Sequence, residues 1–479
     1  MIAASTAVAA RGGHVLVIGA GPAGLAATAA LVRRGVAVTL VDRYDRGGGQ
    51  IARQPGDGSR PTGSWAGLLT TLEHPRARLL AGTATVALQR VAADAPSDRD
   101  PAASTPEQAV QAILQTAGRL HTVVADAVVL ATGAREAVTP FAGWTLPGVV
   151  TAGAVQAVLK REGAIPWRRV GLAGSGPLLL AVAQAMRQAQ HPPVFTLERQ
   201  PLHRLALRGA GTAAAFPAKA ALFGRLAAAA PPRFGWRVVE AVAGGGPHDE
   251  VVRAAVICRR DRRGRDVGHR TVALDALAVS ARLVPDVALA LQLGCTSRAS
   301  ADGVATAVVV DADQRTSVPK VYAAGEITGV GGAEKSVAEG RLAGLAAAAD
   351  LARTAVPAVG TLRQEVARWR RFGSRLERLY PFDHGWEGRE ADTTMVCRCE
   401  EVALGTVRRA MADGAHTARA VKGLTRTGMG RCQGAVCSPV VRSALVAAGH
   451  GDTGDLESRP LAEPVTLAQL ARLAAAPTR

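Results

Sequence analysis

His14-Val15-Leu16-Val17-Ile18-Gly19-Ala20-Gly21-Pro22-Ala23-Gly24 decides the fold. His14 to Ile18 is a short apolar run and reads as a buried strand. Gly19 to Gly24 follows as G-x-G-x-x-G, Leu25 to Arg34 has helical spacing, and Val36 to Val41 reads as a second strand. The first glycine permits the tight turn, the second lets a pyrophosphate approach the backbone, and the third lets helix and strand pack closely. The helix N-terminus then offers N–H groups and a positive dipole end to phosphates. Asp42, 23 residues after Gly19, stands where an acid accepts hydrogen bonds from a ribose hydroxyl pair, with Arg43 beside it. Gly19, Gly21, Pro22, Ala23, Gly24, Asp42 and Arg43 are therefore candidate cofactor residues.

The motif alone does not distinguish FAD from NAD. Gly48-Gly49-Gln50 follows the acid, Ala127 to Leu130 is a buried strand running into Ala131-Thr132-Gly133, and Val318 to Ala324 is another, entering Gly325-Glu326. Together these resemble the glutathione-reductase-like flavoproteins. The resemblance implies FAD, with Gly49, Gln50, Thr132, Gly133, Gly325 and Glu326 joining the site. Glu326 stands where Asp is usual in that family. A nucleotide-free Rossmann-like relic is the alternative.

A second unit opens at Arg169 to Ala173, with Gly174 and Gly176, a helix to about Gln188 and a strand to Leu197. Glu198 lies 24 residues after Gly174, and Pro177 repeats Pro22. The third glycine position is Leu179, whose side chain separates helix from strand. Gly174, Gly176, Pro177 and Glu198 are candidates for NAD(P), for another nucleotide, or for an empty structural copy. Less regular strands are expected from there to about Val279. The two units read as an internal duplication, the last strand of the first domain returning after the second.

Cys397-Arg398-Cys399 and Cys432 to Cys437 bracket 32 residues. Four thiolates from two short loops can hold two irons. A structural zinc site is the rival, but its loops favour C-x₂₋₄-C pairs, and C-x-C fits poorly. Gly423, Gly428, Gly430 and Gly434 are expected to give the backbone room near the cluster. The spacings, and the flanks Met395 to Val402 and Lys422 to Gly430, resemble the bacterioferritin-associated-ferredoxin-like [2Fe–2S] domain. Cys397, Cys399, Cys432 and Cys437 are its expected ligands; Cys258 and Cys295 stand alone among apolar neighbours.

The 479 residues carry a formal charge of +18, with 52 Arg against 5 Lys. The arginines are spread out, with one knot at Arg259, Arg260, Arg262, Arg263 and Arg265, and no aromatic–basic platform accompanies them. That pattern gives no nucleic-acid partner. Charges interrupt the Ala-rich runs, so no membrane span is expected. The N-terminus lacks a signal-peptide pattern, and the cysteines do not read as a secreted disulfide framework, so the expected compartment is the cytoplasm.

Nearly the whole chain resembles the α (large) subunits of heteromeric FAD-dependent amino-acid and opine dehydrogenases. That group takes in the large subunit of opine oxidase, D-hydroxyproline dehydrogenase, dye-linked proline dehydrogenase and hydrogen cyanide synthase relatives. The segment Ala131 to Lys160 matches its linking segment closely, with Ala142 for a usual Pro; Ser280-Ala281-Arg282 departs from its Gly-containing turn. The resemblance implies a smaller, amino-acid-oxidase-like flavoprotein partner that oxidises a D-amino acid, proline, hydroxyproline or opine. It implies that this chain relays electrons to a dye- or quinone-type acceptor, some members holding FMN at the subunit contact. No catalytic residue set is recognisable. A self-sufficient NAD(P)H-dependent reductase and a non-enzymatic redox-sensing or scaffold subunit are the other readings. The expected fold class is α/β: two Rossmann-like domains and a small helical cluster domain. The expected divisions are 1–140 and 299–350 for the FAD domain, 141–298 for the second nucleotide domain, 351–389 for a helical connector, 390–450 for the cluster domain and 451–479 for a tail.

Overall fold

The computed structural model describes residues 13–59, 65–92, 108–244, 250–261, 265–451 and 456–475. The expected Pro/Ser/Asp-rich loop around Pro96 to Thr105, and Arg262 and Arg263 of the arginine knot, lie outside these residues.

The opening unit forms as its pattern predicts: strand His14–Ile18, helix Pro22–Val32, strand Ala37–Val41. Val15, Leu16 and Val17 are fully buried, as a parallel strand covered on both faces requires. Five parallel strands form the first sheet, in the order Val321–Ala323, Ala127–Leu130, His14–Ile18, Ala37–Val41, Ala77–Leu80. The second sheet repeats it: Val149–Thr151, Ala276–Ser280, Val170–Gly174, Phe195–Glu198, Arg233–Phe234, again all parallel. Each sheet also carries a three-stranded antiparallel sheet, Thr83–Ala92 to Arg119–Ala125 in the first unit and Trp236–Gly244 to Asp266–Ala273 in the second. The duplication is therefore structural. The copies differ in their outermost strand, which arrives late in the first unit and ahead of its sheet in the second.

Two strands carry the chain between units, Ala134–Ala137 outward and Arg282–Pro285 back, paired antiparallel. Val287, Leu289 and Ala290 already pack with Leu16 and Val128, so the chain re-enters the first core before residue 299. The long helix Ala333–Leu351 crosses the first helix in near-backbone contact: a Cβ on Gly340 would stand 2.1 Å from the Ala23 carbonyl oxygen.

One expectation needs correction. Residues 202–229 are not irregular strands but the helices Leu202–Ala215 and Pro217–Ala229. Their Ala-rich sequence has high helix propensity, yet neither helix fully buries a residue, so no sharp apolar stripe announces them. The connector is held against the first unit. Its helix Gly360–Leu379 buries Val366 against Ala338 and Leu342, and Arg370 Nε donates to Glu339 Oε1 at 2.7 Å. The cysteine module is a hairpin, Met395–Cys397 with Val402–Ala403, followed by helices Leu404–Ala412, Ala418–Thr425 and Ser438–Ala447. Its core is continuous with Ala137, Val284, Val304 and Ala305 of the flavoprotein body.

Candidate cofactor sites

Gly19 has φ +101°, and a Cβ there would stand 2.3 Å from the Ala131 carbonyl oxygen, so the turn closes against the neighbouring strand end. Gly24 must lack a side chain because a Cβ would meet the Gly19 carbonyl at 1.8 Å. Gly21 is different: its φ of −77° suits any residue, and the nearest atom to an added Cβ is Gly49 Cα at 3.9 Å. Pro22 opens the helix, Ala23 is buried behind it, and the first turn carries no acid. Asp42 reaches this turn through one carboxylate oxygen and its own loop through the other. Oδ2 accepts from Ala20 N at 2.6 Å and Oδ1 from Tyr44 N at 2.9 Å, each keeping lone-pair capacity for a hydroxyl. Burial pushes the carboxyl up, against those two N–H groups and the charges of Arg43 and Arg53.

The other first-site residues surround this turn. Arg43 is exposed and pairs outward with Glu463 of the tail rather than closing on the turn. Gly49 packs over Gly21, and exposed Gln50 reaches the Tyr44 hydroxyl at 3.4 Å. Thr132 Oγ1 donates to the Asp286 carbonyl at 2.6 Å, and Gly133 adopts φ +82° in the same turn. Gly325, at φ +86°, packs on Ala23. Glu326 accepts from Gly332 N at 2.7 Å and from Gly331 N; burial pushes its carboxyl up, against the charge of Lys335.

Sequence reasoning missed the residues that stiffen this site. Lys335 and Glu339 are buried and paired at 2.8 Å. Lys335 Nζ also donates to the Gly325 carbonyl and Thr328 Oγ1, and Gly325 N donates to Glu339. Their i,i+4 spacing was visible, but nothing local marked them as buried. Arg53 was missed as well. It lies over the Tyr44 ring at 4.4 Å, and its buried Nε and Nη2 have no hydrogen-bond partner. Lys160 Nζ, close by, holds the Gln50 carbonyl at 2.7 Å. A guanidinium with two buried, unbonded N–H groups, near Asp42 and the Gly48-Gly49 turn that packs over Gly21, suits a pyrophosphate, so this donor set fits FAD.

The second glycine turn copies the first. A Cβ on Gly174 would stand 1.8 Å from the Ser280 carbonyl oxygen, and Pro177 opens the helix. Glu198 is buried and accepts from Ser175 Oγ at 2.9 Å, Gly176 N at 2.8 Å and Gln200 N at 2.7 Å. Leu179 is buried among Leu172, Val182 and Ala183. The connector covers the cleft: Arg199 donates to the Pro381 carbonyl at 2.5 Å and lies 4.0 Å from Asp383. Beyond it, Trp386, Arg389 and Glu390 line a cleft of roughly 70 Å³ with Gly174, Ser280 and Arg237.

The four C-terminal cysteines come together in two pairs, Cys397 with Cys437 and Cys399 with Cys432, each pair in hydrogen-bond contact through sulfur. The hydrogen bond from Cys437 and the N–H groups of Gly428, Glu400 and Cys399 bring the Cys397 thiol down to about 5; Cys397 and burial push Cys437 up. A cluster with two thiolates on each iron needs such paired sulfurs, so the donor set fits [2Fe–2S]. Among the described residues, no three His, Cys, Asp or Glu gather as ligands of a single ion. A Cβ on Gly430 would stand 2.4 Å from Cys399 Cβ, and one on Gly428 3.8 Å from Cys437 Sγ; Gly434 lies against Gly428. Gly423, expected beside them, has open space around it and no such role.

Comparison with known proteins matches these parts. Residues 13–215 match the pyridine nucleotide-disulphide oxidoreductase family and residues 395–446 the BFD-like [2Fe-2S] binding domain. An opine oxidase subunit of Agrobacterium tumefaciens (strain Ach5) is 33% identical over 472 residues, covering 96% of this chain and 91% of the relative. Hydrogen cyanide synthase subunit HcnB of Pseudomonas aeruginosa is 32% identical, covering 94% and 96%. The crystal structure of L-proline dehydrogenase from P. horikoshii superposes with a TM-score of 0.65 at 19% identity, covering 96% of this chain and 79% of that one, a likeness of fold.

Proposed function

Since this chain belongs to the family of these opine oxidase and hydrogen cyanide synthase subunits, we propose that it is the electron-relay subunit of a heteromeric dehydrogenase. The chain is an FAD-dependent oxidoreductase with a [2Fe–2S]-binding domain. The proposed substrate is a D-amino acid, proline, hydroxyproline or opine, oxidised on a smaller flavoprotein partner. The proposed acceptor is a dye or quinone. The observation that carries this reading is the seating of the paired cysteines on the flavoprotein body through one continuous core.

Bound FAD and [2Fe–2S] would supply two-electron and one-electron transfer respectively. The protein's own part is placement. Asp42 would orient the ribose, and the helix N-terminus with Arg53 would neutralise the pyrophosphate. The Lys335–Glu339–Arg370 network fixes the turn at Gly325. Cys397, Cys399, Cys432 and Cys437 would hold the cluster, with backbone N–H groups reaching the Cys397 sulfur. In the second unit the Glu198 carboxylate is engaged by its own loop and Leu179 replaces the third glycine, which supports a closed copy over a pyridine-nucleotide site. FMN at a subunit contact, as in some members of the resembling group, is part of the proposal for the complex alone.

The test compares this chain alone, a neighbouring small flavoprotein alone, and the two co-expressed, on one panel of amino acids and opines with an artificial dye. Dye reduction by the complex alone is expected. Full activity from this chain alone would contradict the subunit reading.

A further inference from the structure

We propose that Arg135 ties the flavin turn to the cluster loop and that its charge, with that of Arg459, raises the reduction potential of the cluster. The inference rests on the FAD and [2Fe–2S] reading above. Arg135 stands two residues after Gly133, in strand Ala134–Ala137. Asp286 locks the turn before it: its N–H donates to the Gly133 carbonyl at 3.0 Å, and its carbonyl accepts from Thr132 Oγ1 at 2.6 Å. The Arg135 guanidinium then faces Asp286 at 3.5 Å and reaches the cysteine module, where Nε donates to the Ala435 carbonyl at 2.9 Å. Ala435 lies between Cys432 and Cys437. Arg135 Nη2 pairs with Glu457 of the tail, and its charge couples to Cys432. One side chain thus joins the flavin-side turn to the loop bearing two of the four thiolates.

Arg459 adds a second cation beside the same cysteines. Nη2 donates to the Gly428 carbonyl at 3.1 Å, Nε to the Leu456 carbonyl at 2.8 Å, and Nη1 bonds Gln433, next to Cys432. A [2Fe–2S] unit on four thiolates is dianionic when oxidised and gains one further negative charge on reduction, one Fe(III) becoming Fe(II). The electron comes from reduced flavin, which gives up two electrons in two successive passages and releases its protons. A cation fixed beside the cluster stabilises the more negative, reduced form, and largely buried charge is poorly screened by salt. Glu457 opposes that field. The two partners should therefore act in opposite directions, which a merely structural lesion would not do.

The experiment is a dithionite redox titration of the loaded full-length chain, followed by the EPR signal of the reduced cluster. Arg135→Gln should lower the midpoint potential enough to change the reduced-to-oxidised ratio tenfold at fixed potential, about 59 mV for one electron. Arg135→Lys should stay near the parent, and Glu457→Gln should move the potential upward. Loaded Arg135→Gln and Glu457→Gln that both keep the parent potential, or shift it in the same direction, overturn the inference. If Arg135→Gln does not hold its cluster, Glu457→Gln alone decides: an upward shift supports the inference and no shift overturns it. A parent chain without labile sulfide removes the cluster reading and this inference together; a loaded parent with unmoved variants removes the inference alone.

Discussion

The indole N–H of Trp144 donates to the main-chain carbonyl of Met395 at 2.7 Å, which fixes the first strand of the cysteine module to the segment joining the two nucleotide units. The indole is buried, and Arg398 stands 6.0 Å over its ring. A module anchored in this way is a seated part of the body rather than a swinging arm. Trp144→Phe removes the bond and leaves a carbonyl to be satisfied, a loss of about 0.5–1.5 kcal/mol. Limited proteolysis of residues 380–394 should accelerate in the variant, and unchanged protection would argue against the anchor.

Gly21 and Gly24 should separate cofactor binding from folding. A Cβ at Gly21 meets nothing nearer than Gly49 Cα at 3.9 Å and its backbone is unstrained, so Gly21→Val should fold and melt near the flavin-free parent while losing FAD. Gly24→Ala should instead lower the melting temperature, because its Cβ would fall 1.8 Å from the Gly19 carbonyl oxygen. Circular-dichroism melting with flavin quantitation checks both. A Gly21→Val protein that keeps its flavin would reject the site.

Glu339 gives a pH-dependent test. Burial pushes its carboxyl up, but Lys335 and Arg370 outweigh it and hold the group below the usual carboxylate range. A lowered carboxylate contributes stability in full above its unfolded value, about 4.3, and loses it as pH falls through the lower folded value. Glu339→Gln leaves Lys335 buried without its counter-charge and should cost about 3–5 kcal/mol at neutral pH. The gap in melting temperature between parent and variant should narrow below pH about 4. A gap that holds constant across that range would contradict the assignment.

The opening turn was legible because every residue in it is fixed by its neighbours in sequence: Gly19, Gly24 and Asp42 follow from one strand–turn–helix geometry. The four cysteines were legible as one group by spacing, but their pairing, Cys397 with Cys437 and Cys399 with Cys432, was not. What escaped depends on contacts far apart in the chain. Arg53 reads as an ordinary surface arginine until the fold leaves its Nε and Nη2 unpaired. The charges of residues 360–379 announced a helix but not the bond from Arg370 to Glu339. Nothing near Glu198 foretold that Pro381, 182 positions beyond Arg199, would cap its cleft. Helices 202–229 were missed because alanine gives helix propensity without a readable stripe.

NADH oxidation by the chain with an artificial acceptor should be slow or absent. The Glu198 carboxylate is already held by Ser175, Gly176 and Gln200, and residues 381–390 lie across the cleft. Steady-state rates with NADH and NADPH check this. Rapid turnover by the unmodified chain would favour a self-sufficient reductase.

The cofactor content of the purified chain tests the central claim most directly. The account predicts a yellow-brown protein that releases FAD on denaturation and holds about two iron and two labile sulfide per chain. Replacing Cys397, Cys399, Cys432 or Cys437 by Ser should remove most of the iron and sulfide, while Cys258→Ser and Cys295→Ser, at buried thiols outside the module's core cluster, should keep them. Zinc in place of iron, with no flavin released, would contradict it.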